Sequence, residues 1–177
     1  MTAPTVLVLA RAILTIPVCV LIAFATPETD LAALGLFALA AITDAIDGPI
    51  ARARDEVTAR GAMLDPLADK ILAIGTLTAL VLRGLAPGWA LAVIVLREGL
   101  AIETRARAQR TLAATADAKL KTTLQLASAA GLIASAALGN ALLRSAALLL
   151  LDAAVALTVV SGVRLMLRAA QTRADPR

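Results

Sequence analysis

The sequence predicts an all-α integral membrane protein of six transmembrane helices, with a polar active-site cavity that faces the cytoplasm. Three observations predict it. The residues are 60% hydrophobic with a mean hydropathy of +0.86, too apolar for a water-soluble globule and typical of helical membrane proteins. The apolar residues gather into runs separated by short polar segments. Of the 17 Lys and Arg, all but Arg83 and Arg144 fall on the side of the predicted membrane that holds both termini, which the positive-inside tendency makes cytoplasmic. The 177 residues suit one domain, 1–177.

The first predicted span, 6–24, is apolar except for Arg11. It lacks a small-residue cleavage site behind a short core, which argues against a removed signal peptide. The turn ATPETD is acidic and leads into a second span, 31–52, which emerges with Arg52, Arg54 and Arg60. A third, 61–82, carries acids and Lys70 in its first turns, and Pro66 must open or kink it. After a GLAPG turn, the fourth span, 88–104, is interrupted by Arg97 and Glu98. The most basic segment follows, with Arg105, Arg107, Arg110, Lys119 and Lys121. The fifth span, 122–143, has no charge; the sixth, 145–167, carries only Asp152 and Arg164 and ends in the polar tail RAAQTRADPR. Asp152 has no evident role, its candidate partners being Arg144, another subunit or water. The abundant Ala and Gly suit close helix packing in lipid.

Composition removes several chemistries. Without His there is no imidazole base or ligand, and the single Cys19 excludes an intrachain disulfide. The net charge of +4 is not matched by a stacking surface, because the chain has only two Phe and one Trp. Anionic lipid head groups and phosphates are therefore the expected partners, and nucleic acid is not.

The chemistry concentrates in residues 44–69, DAIDGPIARARDEVTARGAMLDPLAD. Asp44 and Asp47 are three apart, Asp65 and Asp69 four apart, so on helices each pair shares a face. Gly48 and Arg52 continue the first stripe, and Gly61 begins the second. Four crowded carboxylates repel and are costly to desolvate unless cations neutralise them. Oxygen ligands favour hard ions such as Mg²⁺ or Mn²⁺, and two adjacent ions suit phosphoryl transfer. A plainer reading makes Asp65 and Pro66 a helix start, and Asp44 and Asp47 interfacial charges.

The stretch resembles the CDP-alcohol phosphatidyltransferase family, whose signature D-x2-D-G-x2-A-R-x8-G-x3-D-x3-D it matches at Asp44, Asp47, Gly48, Ala51, Arg52, Gly61, Asp65 and Asp69. The resemblance implies transfer of a phosphatidyl group from CDP-diacylglycerol to an alcohol with release of CMP, in phospholipid biosynthesis. Position by position, it implies Asp44 and Asp65 as ligands shared by two divalent cations, Mg or Mn, with Asp47 serving one ion and Asp69 the other. Asp69 is also the implied general base. Gly48, Ala51, Arg52, Thr58 and Gly61 are implied to line the CDP-lipid site.

The sequences DPLADK, Arg97-Glu98, Arg105 and KLKT at 119–122 further resemble members that use glycerol 3-phosphate, with Arg97, Arg105, Lys119 and Lys121 cradling its phosphate. Arg97 stands out as an arginine within a span. Other acceptors that the resemblance leaves open are phosphatidylglycerol, giving cardiolipin, or an inositol phosphate. It also implies a homodimer in the inner or plasma membrane, among membrane lipids. The chain departs from the family pattern at Pro4-Thr5 and Val8, while Arg11 keeps its place, and Pro49 directly after Gly48 is less usual. A non-enzymatic cation carrier predicts acids spread through the bilayer depth, and a degenerate scaffold predicts a lost acid. Neither pattern is present.

Overall fold

The computed structural model describes the backbone of residues 3–53, 59–107 and 116–174 and the side chains of residues 12–43, 70–104 and 120–167. The described residues form six α-helices and no strand: α1 (Ala3–Phe24), α2 (Pro27–Ala53), α3 (Ala59–Leu82), α4 (Gly88–Arg107), α5 (Ala116–Leu138) and α6 (Ala141–Ala174).

Helix ends follow local chemistry. Thr26 caps α2: Thr29 N–H donates to Thr26 Oγ1 at 3.3 Å and Thr26 N–H to Thr29 Oγ1 at 3.2 Å, a reciprocal cap with Pro27 in the first turn. A backbone N–H and the Thr26 hydroxyl hold the Glu28 carboxyl below its ordinary range. At the end of α3, Gly84 takes φ +75°; its N–H reaches Val81 O at 2.9 Å and Leu85 N–H reaches Leu80 O at 2.8 Å. That is a Schellman stop. The same device ends α5, where Gly139 takes φ +60° and Asn140 N–H donates to Ser135 O at 3.0 Å. Asn140 then caps α6 by accepting Leu143 N–H on Oδ1 at 3.0 Å. The sequence reading put the break between the last two helices at 143–145. The glycine and asparagine place it earlier, because an uncharged run gives hydropathy nothing to detect there.

Contacts join α1 to α2, α2 to α5, α5 to α6, α6 to α4, α4 to α3 and α3 back to α1, so the helices close a ring that α3 and α5 also bridge. Residues three or four apart face the interior, as with Ala33, Phe37 and Ala40 on α2 and Ala147, Leu151 and Val155 on α6. Small residues bring backbones together. A Cβ on Gly75 would stand 2.7 Å from Thr15 Cγ2, and one on Gly131 would stand 2.9 Å from Ala147 Cβ. Outward faces are apolar too, with Ile16, Leu82, Leu142 and Leu149 among the exposed residues. Such a surface suits hydrocarbon better than water. Among the described residues one helical stretch, Ala141–Leu167, is long and apolar enough to cross a membrane; Ala12–Phe24 and Lys70–Leu82 are apolar but shorter.

One end of the ring is held by charge. Asp30, 1% exposed at the start of α2, receives both terminal nitrogens of Arg83 from the end of α3, with Nη2 to Oδ2 at 2.8 Å. Arg83 Nη1 also donates to Ile22 O on α1 at 3.3 Å, and Arg144 Nη2 donates to Gly84 O at 3.0 Å. Arg144 is thus engaged with the α3–α4 turn, while Asp152 lies exposed on α6.

Replacing one member of a buried ion pair strands the other. Arg83→Met should lower stability by about 3–5 kcal/mol, read as a large fall in melting temperature in detergent. Ala25, non-glycine at φ +60°, gives the opposite sign: Ala25→Gly should stabilise by about 1 kcal/mol in the same assay.

Candidate active site

The motif occupies two consecutive helices. Asp44, Asp47, Gly48, Ala51 and Arg52 lie on the C-terminal half of α2, and Gly61, Asp65 and Asp69 on the N-terminal half of α3, so a short connection places both halves at one end of the bundle. Helix α3 begins at Ala59, well ahead of Asp65, so Asp65 is not its N-cap and Pro66 does not open it. The side chains of all these motif residues, and those of Arg105 and Lys119, lie outside the described side chains; Thr58 lies outside the described residues altogether.

The helical register leads directly from the motif into a charged cluster. Lys70 follows Asp69 on α3, and its Nζ stands 2.6 Å from Glu98 Oε2 on α4. Lys121 Nζ, from α5, pairs with Glu98 Oε1. Arg97 Nη1 donates to the same oxygen at 2.8 Å, and Arg97 Nη2 donates to Ser161 Oγ on α6 at 2.9 Å. Four helices therefore meet on two adjacent residues of α4. The side chains are withdrawn from solvent: Lys70 is 20% exposed, Arg97 11%, Glu98 9% and Lys121 6%.

Local sequence explains the convergence. On α4, Ile94 and Ala101 are buried, and Arg97 and Glu98 fall between them on the inward face. Gly162, next to Ser161 on α6, leaves room for the Arg97 stem: a Cβ there would stand 3.2 Å from Arg97 Cγ, a tight contact. The supporting shell is polar: Ser161 Oγ donates to Thr158 O at 3.0 Å, and Gln125 Nε2 donates to Thr158 Oγ1 at 3.2 Å. Arg97 Nε is buried with no hydrogen-bond partner among the described residues. Burying such charges costs several kcal/mol per ion unless they are paired, and among the described side chains three cations share one carboxylate. Lys and Arg side chains gathered in this way can accept the oxygens of an anion such as phosphate.

Two predicted phosphate ligands, Arg97 and Lys121, thus come together on Glu98. The sequence reading did not assign Lys70, Glu98 or Ser161 to the site. The available signal was Glu98 itself, since an acid inside an apolar span beside an arginine needs buried partners.

The fold is thus a helical bundle with the carboxylate motif on two consecutive helices and a buried cluster of Lys70, Arg97, Glu98 and Lys121 that begins one residue after Asp69. The chain matches the CDP-alcohol phosphatidyltransferase family over residues 1–167, and it belongs to that family. Members of the family are membrane proteins and use divalent metal ions. A probable phosphatidylglycerophosphate synthase of Mycobacterium tuberculosis is 39% identical over 139 residues, covering 77% of this chain and 65% of that protein. A CDP-diacylglycerol--glycerol-3-phosphate 3-phosphatidyltransferase of Bacillus subtilis is 47% identical over 72 residues, 41% of this chain and 37% of that protein. A CMP-forming cardiolipin synthase of Streptomyces coelicolor is 35% identical over 77 residues, 44% of this chain and 36% of that protein. The matched stretches thus span less than two thirds of these relatives. The motif's donor set fits the family's metal requirement: all carboxylate, in a chain with no His and one Cys, it favours hard ions.

Gly162→Val should displace Arg97 from Ser161. Stabilisation of the protein by inorganic phosphate, read as a rise in melting temperature, should then need several-fold more phosphate than in the wild type.

Proposed function

We propose that the chain transfers a phosphatidyl group from CDP-diacylglycerol to glycerol 3-phosphate and releases CMP. The observation that carries this reading is the meeting of Arg97, Lys121 and Lys70 immediately beyond Asp69. An acceptor phosphate seated there would present its hydroxyl toward the motif's end of α3. The family membership and the names of the Mycobacterium and Bacillus relatives support the same reaction.

In this reading Asp44, Asp47, Asp65 and Asp69 would hold two divalent cations, Mg²⁺ or Mn²⁺. Bound there, the ions supply neutralisation of the diphosphate. Asp69 accepts the proton of the attacking hydroxyl. The acceptor oxygen forms a bond to the phosphorus that carries diacylglycerol, and the bond from that phosphorus to the bridging oxygen breaks, leaving with CMP. Gly48, Ala51 and Gly61 give the nucleotide clearance, and Arg52 and Thr58 hold its polar groups. Arg97, Lys121, Arg105 and Lys119 hold the acceptor phosphate. The chain works as one domain, 1–177, of six spans in the cell's inner or plasma membrane, with the site open to the cytoplasm and a second copy as partner. The cationic side of the sequence and the apolar outer surface support that placement.

A second reading keeps the chemistry and changes the acceptor to phosphatidylglycerol, favoured by the Streptomyces relative's name. Purified protein incubated with CDP-diacylglycerol, Mn²⁺ and each acceptor in turn separates the two. CMP release with glycerol 3-phosphate is expected, and its absence would sink the first reading. Asp69→Asn should lower kcat by at least about a hundredfold while CDP-lipid binding persists; full activity in that variant removes the base assignment.

A further inference from the structure

We infer that Glu98 positions the acceptor subsite and sets its specificity, drawing Lys70, Arg97 and Lys121 to one point and leaving a charge that matches a dianionic phosphomonoester. This deepens the reading of the cluster as the acceptor site and rests on it.

The three cations come from α3, α4 and α5, and nothing in the local chain makes them converge. Withdrawn from water, they repel one another. Among the described residues Glu98 is the group that binds all three: Oε1 takes Lys121 and Arg97, and Oε2 takes Lys70 at 2.6 Å. Both carboxylate oxygens are thereby used as anchors. Lys70 adjoins Asp69, so the same contact also fixes the motif's end of α3 against the helices that carry Arg97 and Lys121.

Charge then selects the ligand. Among the described side chains three cations and one carboxylate leave two positive charges; the acids of the motif are taken up by the metal ions of the proposed reaction, and Arg105 and Lys119 add only to the positive side. A phosphomonoester carrying two negative charges neutralises them, whereas a phosphodiester leaves one buried charge uncompensated, which is costly. Arg97 Nε, buried and without an acceptor among the described residues, is a donor still open to an incoming oxygen. The geometry thus favours an acceptor with a terminal phosphate over a lipid whose phosphate is diesterified. It also assigns Glu98 a purpose: without it the cations move apart and the donors no longer face one ligand.

The test uses the full chain in detergent as wild type, Glu98→Gln and Glu98→Asp. Affinities for inorganic phosphate and for dimethyl phosphate, a diester monoanion, are read from the shift in melting temperature, and KM is measured separately for glycerol 3-phosphate and CDP-diacylglycerol. Wild type should bind inorganic phosphate at least about tenfold more tightly than the diester. In Glu98→Gln phosphate affinity should fall by at least about tenfold and KM for glycerol 3-phosphate should rise by a similar factor, with KM for CDP-diacylglycerol within about twofold of wild type. Glu98→Asp, which keeps the charge on a shorter arm, should recover part of the loss. Unchanged phosphate affinity in folded Glu98→Gln, equal loss of both KM values, or no wild-type preference for the monoester would overturn the inference. Should Glu98→Gln fail to fold, Glu98→Asp decides alone, and phosphate affinity equal to wild type counts against it. Wild type that binds phosphate yet transfers nothing to glycerol 3-phosphate ends the proposed reaction and leaves the subsite standing. Normal transfer with Glu98→Gln unaltered ends the positioning role and leaves the reaction.

Discussion

A single carboxylate, that of Glu98, lets a bundle of apolar helices gather Lys70, Arg97 and Lys121 away from water. Cations brought from three helices into a space largely closed to water need an anion, and Glu98 supplies it inside the fold. Its neighbours are arranged around that demand. Arg97 divides its terminal nitrogens between Glu98 and Ser161, Gly162 yields the space the arginine needs, and Thr158 and Gln125 fix the hydroxyl layer behind it. Each piece is ordinary alone; their shared dependence on one side chain makes the site a unit.

At the opposite end of α3, polar groups do different work. Asp30 and Arg83 pair almost out of solvent and clasp the ends of α1, α2 and α3, and Arg144 fastens α6 to the turn after α3. That pairing is balanced, charge against charge, and leaves nothing for a ligand. Around Glu98, by contrast, the described side chains are three cations and one carboxylate. Helix α3 thus runs from the cluster on Glu98 to the Asp30–Arg83 pair, while close contacts such as Gly75 against Thr15 keep it against α1. Between the two ends the buried core is mostly apolar, with Thr15, Thr76, Ser128 and Ser135 the hydroxyls among it.

Much of this was legible in residues. The helical class followed from hydropathy, and the turn at Gly84 was marked by glycine and proline. The family followed from the spacing of Asp44, Asp47, Asp65 and Asp69. Arg97 was identified because an arginine inside an apolar run is expensive. The break at Gly139 and Asn140 was misplaced, since its signals are a left-handed glycine and an asparagine cap within an uncharged run. Lys70 and Glu98 went unassigned because neither names its partner along the chain, and their meaning depends on which helices are neighbours.

By itself, then, the sequence determined the helical architecture, the carboxylate motif and the family, because periodicity, hydropathy and fixed spacing are local properties of the chain. Only the tertiary structure decided that Lys70 and Ser161 join Arg97 and Lys121 and that Glu98 stands at their centre. The physical reason is that these residues come from four helices, and their contacts depend on how the ring closes, with α4 against α3 and α6 and with α5 bridging to α3. No spacing along the chain encodes that closure.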